Sequence, residues 1–401
     1  MATTGIFPKP TGSYTVGCVD ICSDRAPLTR IYYPTNDKLS QEYSYAKWSP
    51  HPNYMPSYWN LDSLQSPTDI SQEEVSKKAD SVTIPALYDA PLRGGEDQYP
   101  VIVLSHGRRS MRTRYSAFSC ELASHGYVIA VPEHCDGSSC IALNRKRKLG
   151  TDQDGAKYED EWIPYSEREE GETEYDLRTR QIKKRIQELD ATKDLILSLG
   201  RGAPVNIIDD FSKFDFSQFK GRVNEDAFAL VGHSFGSATL LQAFYDEVST
   251  FKCGIAMDPW MMPLPEELFT NGLKQPVLFI NSALYYQTPQ TISRILKLLK
   301  PPDEATGISS SQLITIDGTV HVSQSDTIFV LREYQLDNNK PLLSPEISFK
   351  INMSLCRAFL NRYLLKLPEY QSKIPLLDGG GEDHKEEHND CIIYGTNVNV
   401  L

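Results

Sequence analysis

The sequence predicts an α/β fold, a mostly parallel central sheet of about eight strands flanked by helices. Three features lead there. Short apolar runs alternate with longer amphipathic segments along most of the chain. The later runs are continuously apolar rather than alternating, as parallel strands covered on both faces should be. One of them, Ala227-Phe228-Ala229-Leu230-Val231, passes through two glycines into a helix-forming stretch.

In chain order the predicted strands are Thr29–Pro34, Val82–Leu87, Pro100–His106, Tyr127–Pro132, Ala227–His233, Cys253–Asp258, Pro276–Asn281 and Gln312–Asp317. The predicted helices are Arg112–Ser124, Arg178–Leu199, Ser234–Asp246, Gln290–Lys300 and Phe349–Leu365. The second is the longest, with Ile182, Ile186, Leu189 and Leu195–Ile196 returning near helical spacing. Two stretches interrupt the rhythm. Residues 36–80 hold Tyr43, Tyr45, Trp48, Tyr54, Tyr58 and Trp59 among several prolines, and residues 133–176 are charged and loop-like. Insertions of this size in an α/β enzyme often carry substrate-facing surface. Residues 1–375 are therefore expected to form a single domain with these two insertions. Residues 376–401, with Gly379-Gly380-Gly381 and an acidic, His-containing segment, are expected to be a disordered tail.

The balance of 41 basic against 53 acidic residues gives a net charge of -12, which argues against nucleic acid as a partner. The basic run Arg145-Lys146-Arg147-Lys148 and the acidic stretch Glu159 to Glu174 read most simply as solvated loop charge. No apolar segment follows a basic start, and no run approaches the roughly 18 apolar residues of a membrane span. A cytoplasmic protein is the expectation. Eight cysteines are too sparse for a disulfide scaffold. The pairs Cys18/Cys22 and Cys135/Cys140 lack a second pair or a histidine cluster, so neither a metal nor another cofactor is expected.

Gly232-His233-Ser234-Phe235-Gly236 is the strongest local signal. Its position after a strand and before a helix marks the nucleophile elbow of an α/β-hydrolase fold. A serine on a sharp strand-to-helix turn needs flanking glycines, because a Cβ there would strike neighbouring backbone. The turn lifts the hydroxyl above the sheet at a helix N-terminus, where the dipole favours developing negative charge.

A serine hydroxyl becomes a useful nucleophile only when a histidine takes its proton, and a carboxylate must hold that imidazole. Three histidines follow Ser234: His321, His384 and His388. The last two lie in the polar tail, whereas His321 stands just past the strand Leu313-Ile314-Thr315-Ile316. For the acid, one strand ends in Asp258 and the next in Asn281, which carries no charge. Asp258 is the choice. Asp317 is the rival, though an aspartate four residues from the histidine more often shapes the turn. The oxyanion of the tetrahedral intermediate needs fixed N–H donors. One should be the amide of Phe235. The other should be the amide of Arg108 in the turn Ser105-His106-Gly107-Arg108-Arg109, with His106 as a structural hydrogen-bonder beneath it.

Several segments together resemble the platelet-activating factor acetylhydrolase family, the calcium-independent serine phospholipases that cleave short or oxidised sn-2 acyl chains. They are Gly-His-Ser-Phe-Gly at 232–236, Asp258-Pro259-Trp260 with Pro263-Leu264, and Gly318-Thr319-Val320-His321 with Ser323-Gln324 and Asp326. Further echoes are Tyr115-Ser116-Ala117-Phe118, Glu121-Leu122-Ala123-Ser124, Ala130-Val131-Pro132-Glu133-His134 and Glu161-Trp162-Ile163-Pro164. The resemblance spans roughly residues 8 to 370. It implies Ser234 as nucleophile, Asp258 and His321 as acid and base, oxyanion amides at Arg108 and Phe235, and a phospholipid substrate. One departure stands out. The family's turn usually reads Ser-His-Gly-Leu-Gly, and here two arginines replace the last two residues. One of them, Arg109 foremost, is read as pairing with the phospholipid phosphate, with a solvated pair as the alternative.

No calcium loop of carboxylates is present, so hydrolysis is expected to ignore chelators. Two segments suggest peripheral membrane contact: the aromatic stretch 43–59 and the apolar helix Leu355–Leu367, the latter more simply a core helix. Two rival readings stand beside this one, a general carboxylesterase on small soluble esters and a catalytically silent hydrolase-fold binding protein. A peptidase could use the same three side chains, but nothing selects peptides. No feature specifies an oligomeric state.

Overall fold

The computed structural model describes residues 5–62, 77, 79–147, 158–208, 212–247, 250–284, 288–301, 304, 309–333, 342–379 and 389–396. Its strands are β1 (Thr15–Ile21), β2 (Thr29–Thr35), β3 (Tyr45–Lys47), β4 (Thr83–Tyr88), β5 (Tyr99–Ser105), β6 (Val128–Pro132) and β7 (Ile141–Arg147). They continue with β8 (Tyr158–Pro164), β9 (Val223–His233), β10 (Cys253–Met257), β11 (Val277–Ser282), β12 (Gln312–Ile316) and β13 (Ile392–Tyr394). Eleven of them form one sheet in the order β13-β12-β11-β10-β9-β5-β6-β2-β1-β4-β3, and β7 pairs with β8 alone. From β12 to β6 all neighbours are parallel, while β2 runs antiparallel to both β6 and β1.

The principal helices are α1 (Tyr54–Asp62), α2 (Ser116–Ser124), α3 (Glu174–Arg201), α4 (Phe235–Tyr245), α5 (Glu266–Asn271), α6 (Pro289–Leu298), α7 (Thr327–Glu333) and α8 (Pro345–Tyr363). Two apolar layers cover the sheet because alternate strand residues serve opposite faces. Ile102 and Leu104 of β5 join Leu122 of α2 and Phe359 of α8, whereas Val101 and Val103 join Ile182 and Leu189 of α3 and Leu240 of α4. Thr173 caps α3 by accepting from the Asp176 amide at 3.1 Å, and Gly202 ends it at φ 66°.

All eight predicted strands and five predicted helices are present, with ends shifted by a few residues. Three expectations differ from the structure. Much of the aromatic insertion is core rather than surface: Trp48, Tyr54 and Tyr58 are fully buried, while Tyr43 and Tyr45 are half-buried. The Trp48 indole donates to Asp326 Oδ2 at 3.1 Å, Tyr54 donates to Glu133 Oε2 at 3.0 Å, and Tyr58 pairs with Thr327 at 3.3 Å. Trp59 and residues 63–76 lie outside what is described of side chains. Part of the 133–176 insertion is a hairpin, in which Arg145 pairs with Asp160 at 2.6 Å and Lys146 with Glu161 at 2.6 Å across β7 and β8. Residues 392–394, placed in the expected tail, extend the sheet as β13 against β12. The consecutive β-branched and aromatic residues Ile392, Ile393 and Tyr394 give that short segment strand character which the surrounding polar composition masks. Residues 380–388 lie outside the described part.

Candidate active site

β9 ends at His233, and the chain turns into α4 at Ser234, which takes φ 56° and ψ −114°. That left-handed conformation is strained for a residue with a Cβ. It is locked from three sides: the Ser234 amide donates to Met257 O at 2.9 Å, while its carbonyl accepts from Trp260 N at 3.2 Å and Ser237 N at 3.1 Å. Both flanking glycines are required by close approach. A methyl at Gly236 would overlap the Ser105 carbonyl, and one at Gly232 would overlap the Gly236 carbonyl. Ser234 itself is half-buried and reachable.

Parallel neighbours β10 and β11 bring their carboxyl ends to the same edge. Asp258 follows β10 with its side chain wholly buried, and His321 follows β12 with 28% of its side chain exposed. His321 Nδ1–H donates to Asp258 Oδ2 at 3.2 Å. Two donors from Ser282, the last residue of β11, complete the carboxylate: the amide reaches Oδ1 at 2.7 Å and the hydroxyl reaches Oδ2 at 2.7 Å. Asp317 takes no part, since its Oδ1 accepts from Gly318 N at 2.9 Å and shapes the turn. His384 and His388 lie outside the described residues.

His233 lies against His321, ring centroids 4.4 Å apart. Burial, together with His321 and Arg114, holds its imidazole well below the ordinary value, so it stays neutral beside His321. Polar atoms of His233, Asp258 and His321 lie within 4.8 Å of one another, a set a metal ion could in principle use. However, Asp258 is bonded to Ser282 and His321, and His233 Nδ1 lies 2.7 Å from the Tyr115 hydroxyl, an arrangement that suits proton transfer.

The turn after β5 passes close by. A methyl on Gly107 would sit 3.4 Å from Ser234 Cβ. The amides on either side of Arg108 are tied down: Gly107 N donates to Tyr115 OH at 3.1 Å, and Arg109 N donates to Ser138 O at 2.7 Å. Buried Arg185 of α3 joins the two halves of this region. It donates to the His106 carbonyl at 2.6 Å and to Asp136 Oδ2 at 3.0 Å, and its guanidinium lies 4.6 Å from the centre of the Phe235 ring. His106 is buried under the turn, where its Nδ1 meets Gly107 O at 2.8 Å. The Arg108 guanidinium stacks on Trp260 at 5.2 Å and donates to Tyr165 OH at 3.0 Å. Arg109, at φ 56°, lies over the Tyr165 ring at 4.9 Å and 3.6 Å from Glu167.

Ser234, Asp258, His321, Arg108, Phe235, Gly232 and Gly236 thus converge on one edge, with Arg109 at its rim. The sequence reading missed Ser282, Tyr115 and Arg185. Tyr115 had a signal in the family-like segment that it opens, and Arg185 had one in the polar stripe that Arg178, Gln181, Arg185 and Glu188 form at helical spacing on a helix otherwise read by its leucines and isoleucines.

The description "Platelet-activating factor acetylhydrolase, isoform II" covers the family pattern that matches residues 2–383. The dog (Canis lupus familiaris) platelet-activating factor acetylhydrolase is 33% identical over 402 residues, covering 98% of this chain and 83% of that protein. The chicken (Gallus gallus) platelet-activating factor acetylhydrolase is 32% identical over 404 residues, covering 98% and 90%. A putative phospholipase A2 of Schizosaccharomyces pombe is 26% identical over 286 residues, covering 61% and 62%. Among solved structures, a ferulic acid esterase from Streptomyces cinnamoneus superposes with a TM-score of 0.58 over 97% of this chain and 98% of its own, at 16% identity, a likeness of fold. On the family match and the identities over nearly its full length, the chain belongs to the platelet-activating factor acetylhydrolase isoform II family.

Proposed function

We propose that this serine hydrolase cleaves the sn-2 ester of phospholipids with short or oxidised acyl chains, platelet-activating factor among them, through an acyl-enzyme on Ser234 and without calcium. His321 takes the Ser234 proton as the hydroxyl attacks the ester carbonyl, and Asp258 steadies the imidazolium. The amides of Arg108 and Phe235 hold the oxyanion. Collapse expels the lysophospholipid alkoxide, which receives the proton from His321. Water then repeats the sequence on the acyl-serine, releases the carboxylic acid and restores the enzyme. The observation that carries this reading is the His321–Asp258 hydrogen bond at the sheet edge where Ser234 is held at positive φ.

Arg109 supports the headgroup reading. Its partner Glu167 is 72% exposed and 3.6 Å away, a weak pair that a phosphate could displace. Peripheral contact with a lipid surface fits Leu284 and Leu342, which are 51% and 83% exposed. Leu284 bonds through its amide to Thr319 O at 2.9 Å, within the turn that carries His321. Among the described residues no helix is long and apolar enough to cross a membrane.

The test compares an sn-2 acetyl phosphatidylcholine, a long-chain phosphatidylcholine and a neutral nitrophenyl ester, each with and without chelator. The acetyl lipid should be favoured over the long-chain one by at least about tenfold in kcat/KM, with no effect of chelator. Arg109→Ala should raise KM about tenfold for the lipid alone, the loss of one charge-assisted contact. A preference for the soluble ester would favour a general carboxylesterase, and equal KM effects would remove Arg109 from the headgroup.

A further inference from the structure

Beneath the oxyanion turn lies a second chain of serine, histidine and carboxylate. Ser105 Oγ is 2.9 Å from His134 Nε2, and His134 Nδ1 is 2.8 Å from Glu188 Oε2. Ser105 and His134 are inaccessible to solvent, so no substrate reaches this serine and it is no second nucleophile. Its position is nonetheless specific. Ser105 is the last residue of β5, opposite Gly232 in register and three residues before Arg108. Its carbonyl packs on Gly236. His134 follows β6, and Glu188 comes from α3, where its Oε1 accepts from the Cys135 amide at 3.1 Å.

We propose that Ser105, His134 and Glu188 are positioning residues that anchor β5, the loop after β6 and α3 to one another, and so hold the Arg108 amide at the distance the oxyanion requires. This rests on the hydrolase reading above. A turn carrying an oxyanion donor sheds catalytic power when it drifts by a fraction of an ångström, because the donor must already point at the charge before it forms. Three polar side chains buried at one point are costly unless each is satisfied by the others.

The charges around the chain favour a neutral relay. Burial raises the Glu188 carboxyl to about 8; Asp136 adds to the rise, while Arg185, the Cys135 amide and Lys184 oppose it. Burial, with Arg185 and His106, holds His134 well below its ordinary value. With both neutral, the Glu188 hydroxyl donates to His134 Nδ1, and His134 Nε2–H donates to Ser105. When Glu188 ionises, it accepts from Nδ1–H and the whole chain reverses. Glutamine reproduces only the neutral arrangement, its oxygen accepting from Cys135 N and its amide donating to His134. Glu188 also lines a groove of about 570 Å³ that is open to solvent, so protons can reach it.

The experiment uses full-length protein and a trifluoromethyl ketone that forms a hemiketal on Ser234, read by fluorine NMR. Ser105→Ala should lower kcat about tenfold with KM unchanged and weaken the hemiketal by the same factor, less than the full loss of one oxyanion donor. Glu188→Ala should do likewise, and the double variant should lose no more than either alone. Glu188→Gln should keep activity at pH 7 and abolish an inflection in the wild-type kcat–pH profile near 8. Unchanged kcat and hemiketal affinity in folded Ser105→Ala, or additive losses, would overturn the proposal. No hemiketal in the wild type would instead overturn the hydrolase reading itself.

Discussion

Ser282 shows how a candidate site depends on a side chain that solvent does not reach. Its amide and hydroxyl supply two of the donors that hold Asp258, and the hydroxyl also reaches the Val320 carbonyl at 3.1 Å, next to His321. Ser282→Ala keeps the amide contact to Oδ1 but leaves Oδ2 to its His321 donor and releases the Val320 carbonyl of the histidine loop. The expected result is a fall in kcat of about tenfold with KM held, measured on a soluble ester, since outer contacts of this kind orient the groups that react. Legibility at this level was uneven. Gly232, Ser234 and Gly236 announce themselves because a strained turn permits so few residues. Asp258 is separated from Asp317 in the sequence by its place at a strand end. Ser282 was unreadable, because a serine at the end of an apolar run looks the same whether it faces a carboxylate or water.

The packing of whole segments carries a different kind of information. Residues 36–80 combine tryptophan, tyrosine and proline, a composition that suits a lipid interface and a buried plug equally well. For Trp48 the deciding fact is its partner, Asp326, which lies 278 positions away in sequence. Such a pairing has no local signature. Beside it, Asp20 of β1 binds Arg30 of β2 and Arg112 near α2, while Arg112 also holds Glu133 at 2.6 Å. Burial pushes the Asp20 carboxyl up, but Arg112 and Arg30 outweigh it and hold it well below the ordinary 3.8. A depressed carboxyl stabilises the fold fully above that ordinary value and loses its contribution as pH falls below it. Urea midpoints should therefore drop from pH 7 toward pH 3 in the wild type. Asp20→Asn should cost about 3 kcal/mol at pH 7, as breaking a buried ion pair does, and lose less on acidification. Equal acid sensitivity in both proteins would remove Asp20 from this role.

Across the molecule, chemistry is gathered by strand order. β9, β10, β11 and β12 lie side by side in sequence order, so their carboxyl ends deliver Ser234, Asp258, Ser282 and the His321 turn to one edge. β5 adds the Ser105–Arg109 turn from the other side of β9. This much was legible, because uninterrupted apolar runs separated by helices leave few ways to connect a parallel sheet. The outer strands β1, β3 and β13 were not: they are short or mixed in polarity, and their pairing depends on distant partners. The most direct test of Ser234 as the nucleophile is peptide mapping after reaction with a fluorophosphonate. One phosphonyl group should appear on Ser234, vanish in Ser234→Ala, and form far more slowly in His321→Ala and Asp258→Asn. A label on another serine, or undiminished labelling without His321, would contradict the assignment.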